Sequence, residues 1–486
     1  MSRYIGPLLL VLVVFFFGER FPGASLAKEA TEQPAATKRP SGIPESTPST
    51  LIGLQYETWF TPHNAGSYET AEAVPVLGKY SSYDKNVIVK HEEWFENLGI
   101  DWLLLDWSNM LWMKPDWEKH TEATQELEET TDLLFKVYSE LEREGKHPPK
   151  LVIMLGLQNG PPVPDAVPRL NGIIAWTKKN FLDKQEYKNL WLYYDGKPLL
   201  TILFNIDFAC DEITRKTAGL EAPDWTVRWM GSQLQDTHVE KCGFWSWMDA
   251  PIRQVVTSSS GRPEEVVVTP SSFPIPQGWL DPRAVGRDHG APYLESWKVA
   301  FENGPKFIQI HQWNEFAGQK EGEGYGLKHD VYGDEYNLEF SDDLEPTELG
   351  KCTYRGCGGW GYFYMNLTKA LISLYRNRTP DMTVMALSAP FRPVASGKEW
   401  PLNWSVIGKP PESYTLQVDG KTVAEKIHGE HYTLDLSKMA EGKHQVTLKA
   451  NGVHTYFDLD PEKLTYRSKT PLAVVSTIEF TYSPGH

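Results

Sequence analysis

The chain has 486 residues, a formal net charge of −16 and 41% hydrophobic residues, so wholesale disorder is excluded. The acidity, with Lys and Arg scattered rather than run together, argues against nucleic acid and anionic membrane as partners. Its 18 Trp and 22 Tyr fit either a large aromatic core or surfaces that stack sugar rings.

The N-terminus reads as a targeting segment. Arg3 precedes an apolar run from Leu8 to Phe17, followed by the small-residue pattern Ser25-Leu26-Ala27. Such a run is too short to span a bilayer and right for a signal-peptide core. Residues 1–27 are therefore expected to be removed, leaving a secreted or periplasmic protein with no membrane attachment. Residues 28–50, rich in Ala, Pro, Ser and Thr, read as a flexible linker. Of four cysteines, Cys352 and Cys357 enclose a short loop and are expected to pair, with Cys210 and Cys242 as the natural other pair.

From Leu51 onward, apolar runs alternate with amphipathic stretches. The strand candidates are 51–60, 101–109, 150–159, 197–205, 226–233, 243–250, 265–273 and 306–316. Most are continuous hydrophobic runs, the pattern of parallel strands covered on both faces. Between the first two, "YSSYDKNVIVKHEEWFENLGI" predicts a helix capped at Ser82 or Asp84 and stopped at Gly99. A second helix is expected from about Glu118 to Glu144. Eight such strands interleaved with helices read as an α/β protein, a (β/α)8 TIM barrel over 51–380. After Arg376 the chain turns to short alternating strands with turns at Asp419-Gly420, Glu441-Gly442 and Asn451-Gly452. Residues 381–486 are expected to form a small β-sandwich of immunoglobulin or fibronectin type, accessory to the barrel.

A barrel places function at the C-terminal ends of its strands. Those ends carry Tyr56, Glu57 and Trp59; Asp106 and Trp107; Asn159; Asn205 and Asp207; Trp247 and Asp249; and His311, Trp313, Asn314 and Glu315. A rim of carboxylates, amides and aromatics suits glycoside hydrolysis, which uses one carboxylic acid to protonate the leaving oxygen and one carboxylate as nucleophile or base. Each acid alone can equally cap a helix or fill a loop salt bridge. Glu315 stands apart, because a strand-end glutamate between Asn314 and Phe316 is costly to seat without a purpose.

Two segments carry a resemblance. "VLGKYSSYDKNVIVKHEEWFENLGIDWLLLDWS" and "RDHGAPYLESWKVAFENGPKFIQIHQWNEF" resemble the early and last parts of the glycoside hydrolase family 99 barrel, a family of endo-acting α-mannosidases and α-mannanases. The likeness covers roughly 51–320 and implies an endo-acting hydrolase of a polysaccharide. That family uses two glutamates three residues apart after the last strand, and here Gly318 stands where the second would be. A partner acid for Glu315 must then come from elsewhere. Asp249 is the expected one, kept ionised while Glu315 donates the proton; Asp106, Asp207, Glu321 and Glu323 are substitutes.

After strand eight runs a long, Gly-rich, acidic loop, and loops of that length on the active face are usually functional. No cofactor is required by the reading, although the acids of loop 330–345 (Asp334, Glu335, Glu339, Asp342, Asp343, Glu345) could bind calcium without EF-hand spacing. Two other readings compete: a catalytically inactive carbohydrate-binding barrel, and a polysaccharide lyase using Tyr56 and His63. The partner is a polysaccharide or oligosaccharide in the first two cases, and the chain is expected to act as a monomer.

Overall fold

The computed structural model describes residues 50–63, 68–108, 122–157, 166–204, 218–231, 242–274, 277–324, 326–333 and 335–484. The expected signal segment and all of the expected linker but Thr50 lie outside these, as do Asn159, Asn205, Asp207, Cys210 and Asp334. Among the described residues no helix is long and apolar enough to cross a membrane.

Eight parallel strands follow one another around a nearly closed barrel: β1 Leu51–Tyr56, β2 Trp102–Trp107, β3 Lys150–Leu157, β4 Lys197–Phe204, β5 Thr226–Gly231, β6 Trp245–Ser246, β7 Glu265–Val268 and β8 Phe307–Ile310. Strand β8 pairs with both β7 and β1, so the ladder is open only between β6 and β7. There a side chain stands in for the missing ladder bond. The buried Glu265 carboxylate accepts from the backbone N–H of Ser246 at 3.0 Å.

Successive strand residues face opposite ways, and β2 shows the result. Trp102 and Leu104 join the cluster that fills the barrel, with Val152, Met154, Leu199 and Phe307. Leu103 and Leu105 join the larger cluster between barrel and helices. Gly53 of β1 makes room for this filling: a Cβ there would meet the Trp102 ring at 2.0 Å.

Among the described residues the α-helices are α1 Lys85–Leu98, α2 Glu122–Arg143, α3 Ala166–Thr177, α4 Ala291–Asn303 and α5 Phe363–Tyr375. Helix α1 starts where the sequence says it should: the Asp84 side chain accepts from Asn86 N–H at 2.9 Å. It stops at Gly99, whose φ of 89° places it in the left-handed region glycine tolerates.

Beyond α5 lie two β-sheets. One orders β9 Thr383–Ser388, β10 Glu399–Gly408 and β13 His431–Asp435. The other contains β11 Ser413–Val418, β12 Lys421–Ile427, β14 Gly442–Thr455 and β15 Leu472–Tyr482, with the short strand Val394–Ala395 on its edge. Leu387, Leu402 and Trp404 of the first share a core with Leu416, Leu448 and Ile478 of the second. Strand β9 belongs to both regions, since Val384 and Ala386 pack into the barrel's own cluster.

Candidate active site

The acidic loop after β8 doubles back and lies against the strand's polar extension. Gln312 N donates to Asp342 O at 3.3 Å, Glu345 N donates to Trp313 O at 2.9 Å, and Glu335 N donates to Ala317 O at 3.0 Å. This return segment, residues 335–345, therefore clasps residues 312–317. Asp343 adds a side-chain grip, accepting from the N–H groups of both Glu315 and Phe316. The Cys352–Cys357 disulfide expected from the sequence follows it, and Cys242 is disulfide-bonded as well.

The clasp brings buried polar groups together at the C-terminal mouth. Gln55, at the end of β1, shares its amide hydrogens among Glu57 Oε1 at 3.0 Å, Gln312 Oε1 at 3.1 Å and Asp106 Oδ2 at 3.3 Å. Its own oxygen faces His311 Nδ1 at 2.8 Å, and His311 Nε2 stands 3.0 Å from Asp342 Oδ2. Gln312 Nε2 donates to Glu315 and also approaches Glu335 Oε1 at 3.4 Å. Oxygens of Glu315, Glu335 and Asp342 all lie within 4.8 Å of one another. Glu315 is half-buried, whereas Glu335 and Asp342 are 2% and 1% exposed.

So many carboxyl groups cannot all be charged out of water. Burial pushes Glu57 well above the ordinary glutamate value, with Asp106 adding to it, and burial also raises Asp106. Glu335 is pushed well above its ordinary value by burial and then by Asp342, Asp343 and Glu72. Glu72 rises to about 7 through burial. Asp342 goes the other way: burial opposes its charge, but the His311 contact outweighs it and holds the group below its usual value.

Calcium prefers six to eight oxygens. In the Glu315–Glu335–Asp342 cluster an amide N–H of Gln312 already occupies the side shared by the two glutamates. The other described acids of the segment are spread over separate protein donors: Glu339 accepts from Asp288 N–H, Glu345 from Tyr80 hydroxyl at 2.6 Å. These residues fit a proton-sharing network better than a calcium cage.

The structure sorts the expected site residues. Glu57, Asp106, His311 and Glu315 meet in one network. Asn314 serves it from behind, its amide spanning Glu57 N–H at 2.9 Å, Glu57 C=O at 3.2 Å and Tyr80 hydroxyl at 3.0 Å. Trp247, half-buried, sets its ring edge-to-face on His311 at 4.6 Å. Asp249 keeps local company, accepting from Val255 N–H at 2.7 Å, and burial pushes it up to about 8. That reverses one expectation: a carboxyl so placed is neutral at pH 7, so Asp249 suits proton donation rather than an ionised role.

Three aromatics expected to floor sugar subsites face the wrong way. Trp107 and Trp313 are 1% and 0% exposed, packed on Phe181 and Phe95 in the helix layer; strand alternation sends Trp107 outward with Leu103 and Leu105, while Trp313 lies past the end of β8. Trp59 is likewise buried in that cluster. The Tyr56 hydroxyl is bonded to His91 at 3.0 Å, while His63 sits exposed beside Glu126. The Tyr56–His63 couple that a lyase would use is therefore not assembled. Sequence reasoning missed Gln55 and Gln312 altogether, although both are amides beside strand ends. It noted Glu335 and Asp342 only as loop acids.

No family model matches the chain, and no curated protein matches it. Among solved structures, the GH99 endo-alpha-mannosidase from Bacteroides thetaiotaomicron aligns at 17% identity over 68% of this chain and 99% of its own, with a TM-score of 0.44. The endo-beta-1,4-mannanase from Thermotoga petrophila aligns at 12% identity over 90% of this chain and 98% of its own, TM-score 0.41. Beta-glucuronidase 2 from Bacteroides uniformis aligns at 12% over 90% of this chain and 46% of its own, TM-score 0.40. At these scores the barrel assignment rests on the strand pairing itself.

Proposed function

We propose that this chain is an exported glycoside hydrolase, endo-acting on a polysaccharide, with Glu315 and Asp249 as its pair of carboxylates. The observation that carries the reading is Glu315: a half-buried carboxylate at the mouth of an eight-stranded parallel barrel, gripped through its backbone by Asp343 and through its side chain by Gln312. Barrel mouths are where such chemistry is done, and hydrolysis needs one group that stays charged beside one that holds a proton. Asp249, raised to about 8, is the proton donor of the reading, and Glu315 the nucleophile or base. Trp247 is the aromatic placed to meet a sugar ring. Residues 1–27 direct export, and the two C-terminal sheets form an accessory β-sandwich over 381–486. The protein acts as a monomer, on neither nucleic acid nor membrane.

One feature favours a second reading, a barrel that binds glycans without cutting them. Gly318 cannot carry the glutamate that the family resemblance places there: a Cβ would meet Thr70 O at 2.6 Å and Glu335 O at 2.8 Å. A panel of polysaccharides assayed for new reducing ends separates the two. Saturated reducing ends from at least one polymer support hydrolysis; binding with no product supports the second reading.

A further inference from the structure

Glu335 is a buried acid of the mouth that the hydrolase reading leaves without a role. It stands opposite Gly318 in an isolated parallel bridge, which fixes its backbone against the β8 extension. Its Oε1 accepts from Asp342 N–H at 3.2 Å and faces the Gln312 amide at 3.4 Å, while its Oε2 is buried without a hydrogen-bond partner. The same Gln312 nitrogen donates to Glu315. One amide group thus ties a half-buried carboxylate at the mouth to a fully buried one beneath it. Glu335 is 2% exposed, and the Gln312 amide is what links it to Glu315.

We propose that Glu335 is a positioning residue for Glu315, acting through Gln312 as a clamp that the return segment 335–345 closes. The proposal rests on the hydrolase reading above. A side-chain amide has two hydrogens, and one used on each glutamate fixes the Gln312 plane and hence the direction from which Glu315 is held. Gln55 holds the other end of Gln312, so the amide cannot turn over without losing bonds at both ends. The titratable and charged groups around Glu335 are Asp342, Asp343 and Glu72, with His311 against Asp342 and Arg287 near Glu72. In that field a neutral Glu335 presents the clamp with an acceptor and no second full charge beside Glu315. An ionised one competes for the Gln312 hydrogens and repels Glu315 at under 4.8 Å.

The test uses the full mature chain on yeast mannan, carob galactomannan and laminarin, reading kcat and KM from reducing ends between pH 5 and 9. Glu335→Gln copies the neutral acid, so it should keep turnover near wild type at pH 6. Glu335→Ala opens the clamp and should lower kcat about a hundredfold with KM little changed. A melting scan of each variant shows that it is folded, and Glu335→Gln should gain stability over wild type as pH rises. Either of two results would overturn the proposal alone: Glu335→Gln as inactive as Glu315→Gln, which would make Glu335 a direct proton donor, or Glu335→Ala with wild-type kcat. A wild type that releases no ends from any of the three polymers would instead overturn the hydrolase reading, and the clamp with it.

Discussion

Asp249 holds its proton because burial penalises the charge and the group that answers it, Val255 N–H, is neutral. The consequence for stability has a definite sign. Its folded-state value of about 8 lies above the ordinary aspartate value, so the folded chain binds a proton that the unfolded chain releases. The stability this gives is complete in acid and is lost as pH rises from about 4 through 8. Asp249→Asn keeps the oxygen that Val255 uses and has no proton to lose. It should be more stable than wild type at pH 8, by up to about 5 kcal/mol in the limit of complete burial, while losing turnover by several orders of magnitude. Chemical denaturation at pH 5 and pH 8 checks the first half; equal pH dependence of the two proteins would contradict it. Trp313 and Trp247 make a second contrast. Trp313→Ala should cost about 3–5 kcal/mol of stability, as expected for emptying a packed core site. Trp247→Ala should leave the melting temperature nearly unchanged and raise KM, since its ring is the one left partly open. A Trp247→Ala protein with wild-type KM would remove that residue from the substrate site.

At the level of elements, the return segment decides whether the mouth is organised. Gly318 lies where Thr70 and Glu335 carbonyls close in, so Gly318→Ala forces backbone apart rather than a flexible side chain. It should destabilise by about 1–3 kcal/mol and loosen segment 335–345, seen as faster hydrogen exchange at Glu335 and Leu344. Unchanged exchange there would show that the clasp does not depend on that close approach. The eight strands were legible in the sequence because buried parallel strands are hydrophobic on both faces, and α1 because Asp84 and Gly99 mark its ends. Glu315 stands out in the sequence because it is an acid beside apolar residues. What the sequence hid was pairing at a distance. Gln55 and Gln312 are 257 positions apart, and nothing in either neighbourhood says that one amide binds the other. Nor does period-two alternation announce its phase at a strand end or persist beyond it, which is why Trp107, on β2, and Trp313, past β8, read as sugar platforms and are core.

At the scale of the whole molecule, the acidic chain concentrates carboxyl groups in one place and manages them by unequal burial. Asp342 is kept charged by His311; Glu57, Glu335 and Asp343 are pushed toward the neutral form by burial and by one another. Such a spread of neighbouring acids is what acid–base chemistry on a sugar requires, and a purely structural core would gain more from apolar side chains of the same volume. The most direct measurement is release of reducing ends from yeast mannan, carob galactomannan and laminarin by wild type and by Glu315→Gln. Wild-type turnover on at least one polymer, cut by several orders of magnitude in a Glu315→Gln protein that still melts as a folded chain and still binds that polymer, is the predicted result. Near-wild-type hydrolysis by Glu315→Gln would contradict the account.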